Sequence, residues 1–176
     1  MRVRELPIVP HLTELLEAEG LDHLYPPQAD AISFGVLDGK NLVLASPTAS
    51  GKTLVAELCM LKHVLESHGK ALYLAPLRAL ASEKYRDFRR FESLQKKDGT
   101  TVRVGVSTGD YDSADPWLAR YDIIISTNEK FDSILRHKAP WASELSLVVA
   151  DEVHLLTEHE RGPTLEVVLT RLREIN

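Results

Sequence analysis

Eight residues, S-P-T-A-S-G-K-T at positions 46–53, predict the fold around them. An apolar run at residues 42–45 precedes them, and a helical pattern of apolar residues follows from Leu54. The order is typical of a strand, a tight loop and a helix N-terminus, where small residues let backbone N–H groups turn inward around a phosphate. Ser46 replaces the usual first glycine of the G-x-x-x-x-G-K-[ST] pattern, so that end of the loop must turn without glycine's freedom.

The pattern assigns roles to the last residues of this phosphate loop (residues 46–53). Lys52 is expected to reach the β- and γ-phosphates of a nucleotide, and the Thr53 hydroxyl to bind Mg²⁺. The other nucleotide contacts of the loop and first helical turn are expected at Pro47, Thr48, Ala49, Ser50, Gly51 and Leu54. A chance Gly-Lys-Thr in a turn is the alternative, and the surrounding strand and helix patterns argue against it.

Length and composition are those of an ordinary globular chain. The 176 residues suffice for one domain with a core, and 44% are hydrophobic and 27% charged. Lys and Arg number 21 against 26 Asp and Glu, a net charge of −5 that still allows a local basic patch for phosphates. Cys59 is the only cysteine, which excludes an internal disulfide and suggests a reducing compartment. No apolar stretch approaches ~18 residues, so no membrane span is expected.

Alternating strand and helix patterns predict an α/β fold. Mostly continuous apolar runs, as in parallel strands buried on both faces, occur at residues 42–45, 71–75, 102–106, 122–126 and 145–150. Helical patterns occur at residues 11–19, 28–36, 52–67, 77–94, 129–136 and 164–173. We therefore expect a mostly parallel sheet with helices on both faces and right-handed crossovers. Residues 1–176 read as one domain, in which residues 1–27 form an N-terminal helix and lead-in.

A second motif, Asp-Glu-Val-His at residues 151–154, follows the apolar run 145–150. Asp151 is expected at the carboxyl end of a strand, the edge where open α/β sheets bind ligands, and there it can hold Mg²⁺. Glu152 can position and activate an attacking water, and His154 is expected to couple the nucleotide to its surroundings. An isolated Asp-Glu is more simply an acidic helix cap. Together with the phosphate loop in the same sequence, it indicates hydrolysis of a nucleoside triphosphate.

The two motifs together resemble a superfamily 2 DExH-box helicase. Further segments that resemble motifs of this family lie at residues 25–28, 75–80, 107–111, 126–130 and 161–166. The last is similar to a segment of superkiller-type (Ski-type) helicases, and the closest resemblance is to archaeal HelQ-like DNA repair helicases, from about Leu6 to the end. The resemblance implies the first RecA-like motor domain of such an enzyme, with Gln28 reading the adenine edge of ATP.

The same resemblance implies contacts with a nucleic-acid strand at Pro76, Arg78, Thr108, Gly109, Thr127 and Lys130. Such strands are held mainly through phosphates, which position them without reading sequence. Arg78 at a helix start can make charge-assisted bonds to a phosphate, although from its spacing it is as readily a solvated helix residue. Thr127 followed by Glu129 is, from spacing alone, more simply a helix N-cap with a first-turn acid. The resemblance favours the nucleic-acid role for these residues.

Three functions stay open. The first is the motor domain of an ATP-dependent DNA helicase that processes single-stranded or forked DNA in repair or at replication forks. It is expected in the cytoplasm, and at the nucleoid if the source is an archaeon or a bacterium. The second is the same domain of a superkiller-like RNA helicase, and the third is a non-catalytic nucleotide-binding or interaction module. The second RecA-like domain of such helicases and the Ser-Ala-Thr motif are not in this sequence. We therefore expect an incomplete motor that binds nucleotide, hydrolyses it slowly and does not unwind alone.

Overall fold

The structure is a computed structural model that describes residues 1–47, 50–67, 69–109, 112–159 and 162–175. Several residues of the predicted motifs lie outside the described residues: Thr48, Ala49, Asp110, Tyr111 and Arg161. The chain divides into two compact units, Met1–Ser67 and His68–Asn176. No helix in the described ranges is long and apolar enough to cross a membrane.

The described part of the first unit holds the helices α1 (Pro10–Ala18), α2 (Pro26–Phe34) and α3 (Lys52–Ser67). Helix α3 has the predicted bounds, and α1 is shifted by one residue. Helix α2 begins and ends two residues earlier than the prediction of residues 28–36. Its end was misplaced because Gly35 adopts a left-handed φ of 102°, which closes the helix before Val36.

The predicted strand at residues 42–45 was wrong. These residues form no strand, and the exposed fraction of the Val43 side chain is 75%. Leu42 and Leu44 are half-buried while their neighbours are exposed, so exposure alternates along the run. An apolar run predicts burial, but a strand also needs ladder partners for its backbone. Such partners cannot be read from the run itself.

Cys59 lies in α3 with an exposed fraction of 8%. Burial raises the pKa of its thiol to about 11. The thiolate is the reactive form, so the group is inert at neutral pH.

The second unit contains a four-stranded parallel sheet in the order β2-β3-β1-β4. The strands are β1 (Lys70–Ala75), β2 (Val104–Ser107), β3 (Ile123–Thr127) and β4 (Leu145–Ala150), and the helices are α4 (Arg78–Phe88), α5 (Asn128–Arg136) and α6 (Gly162–Ile175). Strand β2 starts two residues later than predicted, since the N–H of Val102 donates to the Leu94 carbonyl instead of to a strand. The predicted α/β class with a parallel sheet is confirmed.

Helices cover both faces of this sheet. On one face, Leu72, Leu74 and Ile124 join the core formed with α5 and α6, which includes the Phe131–Trp141 ring pair. On the other face, the ring of Tyr73 meets α4 edge-on, with its centroid 6.0 Å from that of Phe88. Residues of the two middle strands, β1 and β3, are therefore buried on both faces, as the continuous apolar runs predicted.

Candidate functional site

The phosphate loop turns without glycine at its first position. The hydroxyls of Ser46 and Ser50 are hydrogen-bonded to each other across the loop, and the N–H of Ser50 donates to the Pro47 carbonyl at 3.3 Å. Among the described residues, positive φ outside glycine occurs only at Asp115, Lys138 and Glu152. Ser46 therefore does not need the conformational freedom of the glycine that it replaces.

The ammonium of Lys52 lies across the start of this loop. Lys52 is the first residue of α3, and its Nζ donates to the carbonyl oxygens of Ser46 at 2.6 Å and of Pro47 at 3.0 Å. Thr53, the next residue of the helix, is half-buried. The loop thus presents a cation and a helix N-terminus together, an arrangement suited to an anion such as phosphate.

Gln28 contacts the phosphate loop through Gly51. Its side chain is buried at 3% exposure, and its Nε2 donates to the Gly51 carbonyl at 2.9 Å. A Cβ on Gly51 would lie only 2.0 Å from that nitrogen, and Gly51 has a φ of 78°. Both the close approach and the left-handed conformation require glycine here. The residue predicted to read adenine therefore also fixes the turn before Lys52.

Residues 151–154, the acidic turn, follow β4 directly. The N–H of Asp151 donates to the Leu74 carbonyl at 3.0 Å, which places Asp151 at the carboxyl end of the sheet as predicted. Glu152 adopts a left-handed φ of 51°, a conformation that costs an L-residue about 1–2 kcal/mol. Its Oε2 lies 3.2 Å from Nδ1 of His154, and both side chains are largely exposed. Such local strain is typical of functional turns.

A cavity of about 460 Å³ in the second unit is lined by all six residues predicted to contact nucleic acid. Its lining residues are Pro76, Leu77, Arg78, Thr108, Gly109, Asp112, Thr127, Glu129, Lys130, Ser133 and Arg136. They come from the segments after β1 and β2, from the end of β3 and from α5. We call this cavity the groove. Three of its side chains are cationic and two are acidic.

Two of the groove residues are held by the protein itself. Thr127 is the N-cap of α5, because its Oγ1 accepts the N–H of Lys130 at 3.3 Å, so the simpler interpretation from spacing is confirmed. The Lys130 side chain is only 3% exposed, and its Nζ lies 3.2 Å from Oδ1 of Asp115 and 3.3 Å from Oγ of Ser113. Its charge is therefore balanced by a buried carboxylate. Whether Lys130 also contacts nucleic acid stays a prediction.

Asp115 is the centre of this buried cluster. It is 7% exposed, and it accepts hydrogen bonds from Ser107, Ser113 and Lys130. Burial by itself raises the pKa of its carboxyl, but the three hydrogen bonds and the charge of Lys130 outweigh it, so the pKa lies below its ordinary value. The cluster joins the end of β2 to α5 and thereby supports one wall of the groove.

The prediction from sequence missed several groove residues, among them Asp112, Ser133 and Arg136. Ser133 donates to Oδ1 of Asp112 at 2.5 Å, and this bond, with the nearby charges of His137, Arg136 and Lys130, lowers the pKa of the Asp112 carboxyl. Glu129, Ser133 and Arg136 recur at i, i+4 and i+7, which places them on one helix face. That periodicity, applied to the helix after Thr127, could have identified them.

The sequence of this chain is similar to those of known helicases. The family model of the DEAD/DEAH box helicases matches residues 25–176. The ATP-dependent DNA helicase Hel308 of Thermococcus kodakarensis is 56% identical over 172 residues, which is 98% of this chain and 15% of that protein. Hel308 of Methanocella arvoryzae is 56% identical over 177 residues, 100% of this chain and 24% of that protein. The chain thus spans about a quarter or less of these curated relatives.

Solved structures give the same fold. The crystal structure of the DUF1998 helicase MrfA matches with a TM-score of 0.80 and 28% identity over 96% of this chain and 27% of that protein. The same helicase bound to DNA and AMPPNP matches with a TM-score of 0.77 and 25% identity, again over 96% of this chain and over 25% of that protein. The arrangement of helices and strands described above is that of a helicase RecA-like domain.

Proposed function

The chain belongs to the DEAD/DEAH box helicase family, as its motifs suggested, and on that premise we propose that it is the ATP-binding first motor domain of an ATP-dependent DNA helicase. We assign that helicase to DNA repair or replication-fork processing, with single-stranded or forked DNA as its substrate. The curated relatives that match nearly all of this chain are named as DNA helicases, which supports DNA rather than RNA as the substrate. A cytoplasmic location stays a prediction from the single cysteine.

The observation that carries the proposal is the groove. Six residues chosen from sequence motifs on three separate segments line one cavity. Arg78 begins α4 and is exposed, so its guanidinium can reach a phosphate beside the helix N-terminus. Thr108 and Gly109 follow β2 at the same end of the sheet. A nucleic-acid strand held by such contacts is bound through its sugar-phosphate backbone and not through its bases, as a motor that moves along any sequence requires.

ATP binding is assigned to the first unit, residue by residue. Lys52 would exchange its two neutral carbonyl acceptors for phosphate oxygens, which are better acceptors because they are charged. The N-terminus of α3 adds positive potential and backbone N–H donors. Pro47, Ser50 and Gly51 of the loop and Leu54 in the first turn of α3 are assigned as further nucleotide contacts. Thr48 and Ala49 are assigned with them from the motif.

Mg²⁺ is assigned to the Thr53 hydroxyl and the Asp151 carboxylate. Both are hard oxygen donors, and Mg²⁺ in nucleotide sites takes one or two protein ligands together with phosphates and water. Asp151 fits this use, because each of its carboxylate oxygens accepts one hydrogen bond and keeps a second lone pair. When bound, the ion neutralises charge on the phosphates.

Glu152 is assigned as the residue that positions and activates water, with His154 as its neighbour. Its exposed carboxylate stands on a strained turn beside Asp151, where a solvent molecule can reach it. Hydrolysis by this chain alone should be slow, because related motors add an arginine finger that is worth ~10³–10⁵ in rate. The second RecA-like domain would supply that group and the rest of the strand contacts.

Binding experiments on the 176-residue chain test the proposal. Fluorescence anisotropy with labelled single-stranded DNA and RNA of matched sequence should give tighter binding to DNA, and calorimetry should give binding of Mg·ATP. An Arg78→Ala variant should bind DNA more weakly, whereas Arg103→Ala, which alters an exposed arginine outside the groove, should not. Tighter binding to RNA would favour the superkiller-like alternative. Absence of nucleotide binding would contradict the assignment altogether.

A further inference from the structure

We propose that Tyr73 is a positioning residue that orients the Asp151 carboxylate for the Mg²⁺ that accompanies the nucleotide. The inference rests on the proposed function, since it concerns the metal role of Asp151. No motif of the sequence pointed to Tyr73, which lies in the middle of an apolar strand.

The structural basis is a short hydrogen bond from a buried phenol. Tyr73 is 2% exposed, and its hydroxyl donates to Oδ2 of Asp151 at 2.6 Å. The ring is held edge-on against Phe88, and Tyr73 is aligned with Val149 of the neighbouring strand β4. Because ring and backbone are both fixed, the hydroxyl has a defined position at the end of β4.

The other carboxylate oxygen of Asp151 is fixed by the backbone. The N–H of Glu152 donates to Oδ1 at 2.9 Å, while the Asp151 N–H donates to Leu74 of β1 at 3.0 Å. One donor on each oxygen sets the rotation of the carboxylate plane. Each oxygen still has a lone pair for a cation. The carboxylate is thus oriented before any ligand binds, which lowers the entropy cost of binding.

Packing alone does not account for the hydroxyl. Phenylalanine would fill the same space against Phe88 and would bring no polar group into the core that needs a partner. The phenol instead gives its proton to the residue assigned to the metal. Carboxylate ligands in metal sites are commonly held by such outer hydrogen bonds, and removing one typically costs at least ~10-fold in metal affinity.

The test compares Tyr73→Phe with wild type in the binding of a fluorescent ADP analogue, in MgCl₂ at a series of concentrations and in EDTA. We expect the Mg²⁺ concentration that gives half of the tightening to rise by about tenfold in Tyr73→Phe, with unchanged affinity in EDTA. Tyr85→Phe, a half-buried tyrosine on α4, should match wild type in both conditions. Circular dichroism melting checks that the variants are folded.

A double-mutant cycle separates positioning from packing. In an Asp151→Asn background, Tyr73→Phe should have no further effect on the Mg²⁺ dependence, because the two residues act on the same ion. Equal Mg²⁺ dependence in wild type and Tyr73→Phe, or equal effects with and without Asp151, would overturn the inference while leaving the proposed function intact. A wild-type chain that binds no nucleotide would instead contradict the proposed function, and this inference with it.

Discussion

The side-chain amide of Gln28 joins the start of helix α2 to the phosphate loop. Its Nε2 donates to the Gly51 carbonyl at 2.9 Å, while its Oε1 accepts the N–H of Tyr25 at 2.8 Å. An amide offers two N–H donors and two lone pairs, so one of each remains to pair with the adenine edge. The same residue therefore supports the loop and can select the base.

Replacing Gln28 should remove base selection. Gln28→Ala should lower the affinity for ATP towards that for GTP, because the side-chain amide that pairs with the adenine edge is removed. Gln28→Glu should behave similarly, since a carboxylate has no N–H to give to Gly51. Competition binding with ATP and GTP measures the effect, and Gln95→Ala, an exposed glutamine outside the first unit, is the control. A wild-type chain that binds both nucleotides equally would contradict the role.

Gly51→Ala should impair the chain more than a comparable change elsewhere. The new Cβ meets Gln28 at 2.0 Å, in addition to the strain at a φ of 78°. Gly39→Ala is a matched control, because Gly39 has a φ of 86° but no atom within 4 Å of the added Cβ. We expect Gly39→Ala to lower the free energy of unfolding only by the cost of the left-handed conformation, about 1–2 kcal/mol. Gly51→Ala should therefore have a lower free energy of unfolding in urea and a lower nucleotide affinity than Gly39→Ala.

Lys52→Ala should weaken the binding of Mg·ATP by more than about 1.5 kcal/mol, the scale of a lost charge-assisted hydrogen bond. Lys62→Ala removes an equal charge from the same helix, where Lys62 pairs with Glu66 at 3.0 Å, and should leave nucleotide affinity unchanged. Isothermal titration calorimetry of the three proteins is sufficient. Equal affinity in wild type and Lys52→Ala would remove Lys52 from the site.

In the groove, Arg78 should matter more to nucleic-acid binding than Lys130. The Lys130 side chain is only 3% exposed, whereas Arg78 is exposed at the first residue of α4 and is more accessible to a strand in solution. Arg78→Ala should lower affinity for single-stranded DNA and reduce the slope of log K against log salt by about 0.7. Lys130→Met should change the slope by less. Salt titrations followed by anisotropy would contradict this ranking if Lys130→Met had the larger effect.

Asp115 should make folding stability sensitive to acid. Its pKa in the folded state lies below the ordinary 3.8, so its ionised form stabilises the fold above that value. The contribution is lost as pH falls through the folded pKa. Asp115→Asn should flatten this part of the profile and, by leaving Lys130 buried without its carboxylate, cost about 3 kcal/mol at neutral pH.

Urea unfolding of wild type and Asp115→Asn between about pH 6 and pH 3 measures this dependence. Asp38→Asn, which changes an exposed carboxyl in the first unit, is the control and should keep the wild-type profile. An Asp115→Asn profile parallel to that of wild type would show that the buried cluster contributes nothing to acid sensitivity.

The elements that flank the two main motifs were only partly predictable, since the strand expected before the phosphate loop does not form. Helix α3 and strand β4 lie at the predicted positions, and the groove gathers the six predicted contact residues. The burial of the continuous apolar run at residues 71–75 was also predictable, because this strand lies inside a parallel sheet that is covered on both faces.

The remaining features depend on partners far along the chain. The strand predicted at residues 42–45 was wrong because the apolar character of a run does not determine whether its backbone finds a strand to pair with. The pairing of Lys130 with Asp115 spans 15 residues, and that of Tyr73 with Asp151 spans 78. Patterns within a single sequence contain no signal for contacts between residues so far apart along the chain.

The buried Cys59 makes this chain convenient for site-specific labelling. It is the only thiol in the sequence, and its pKa of about 11 keeps it protonated and slow to react with maleimides while the first unit stays folded. A cysteine placed on the surface would therefore react first, without prior removal of Cys59. Under denaturing conditions the same thiol becomes accessible, so its rate of modification reports directly on the opening of helix α3.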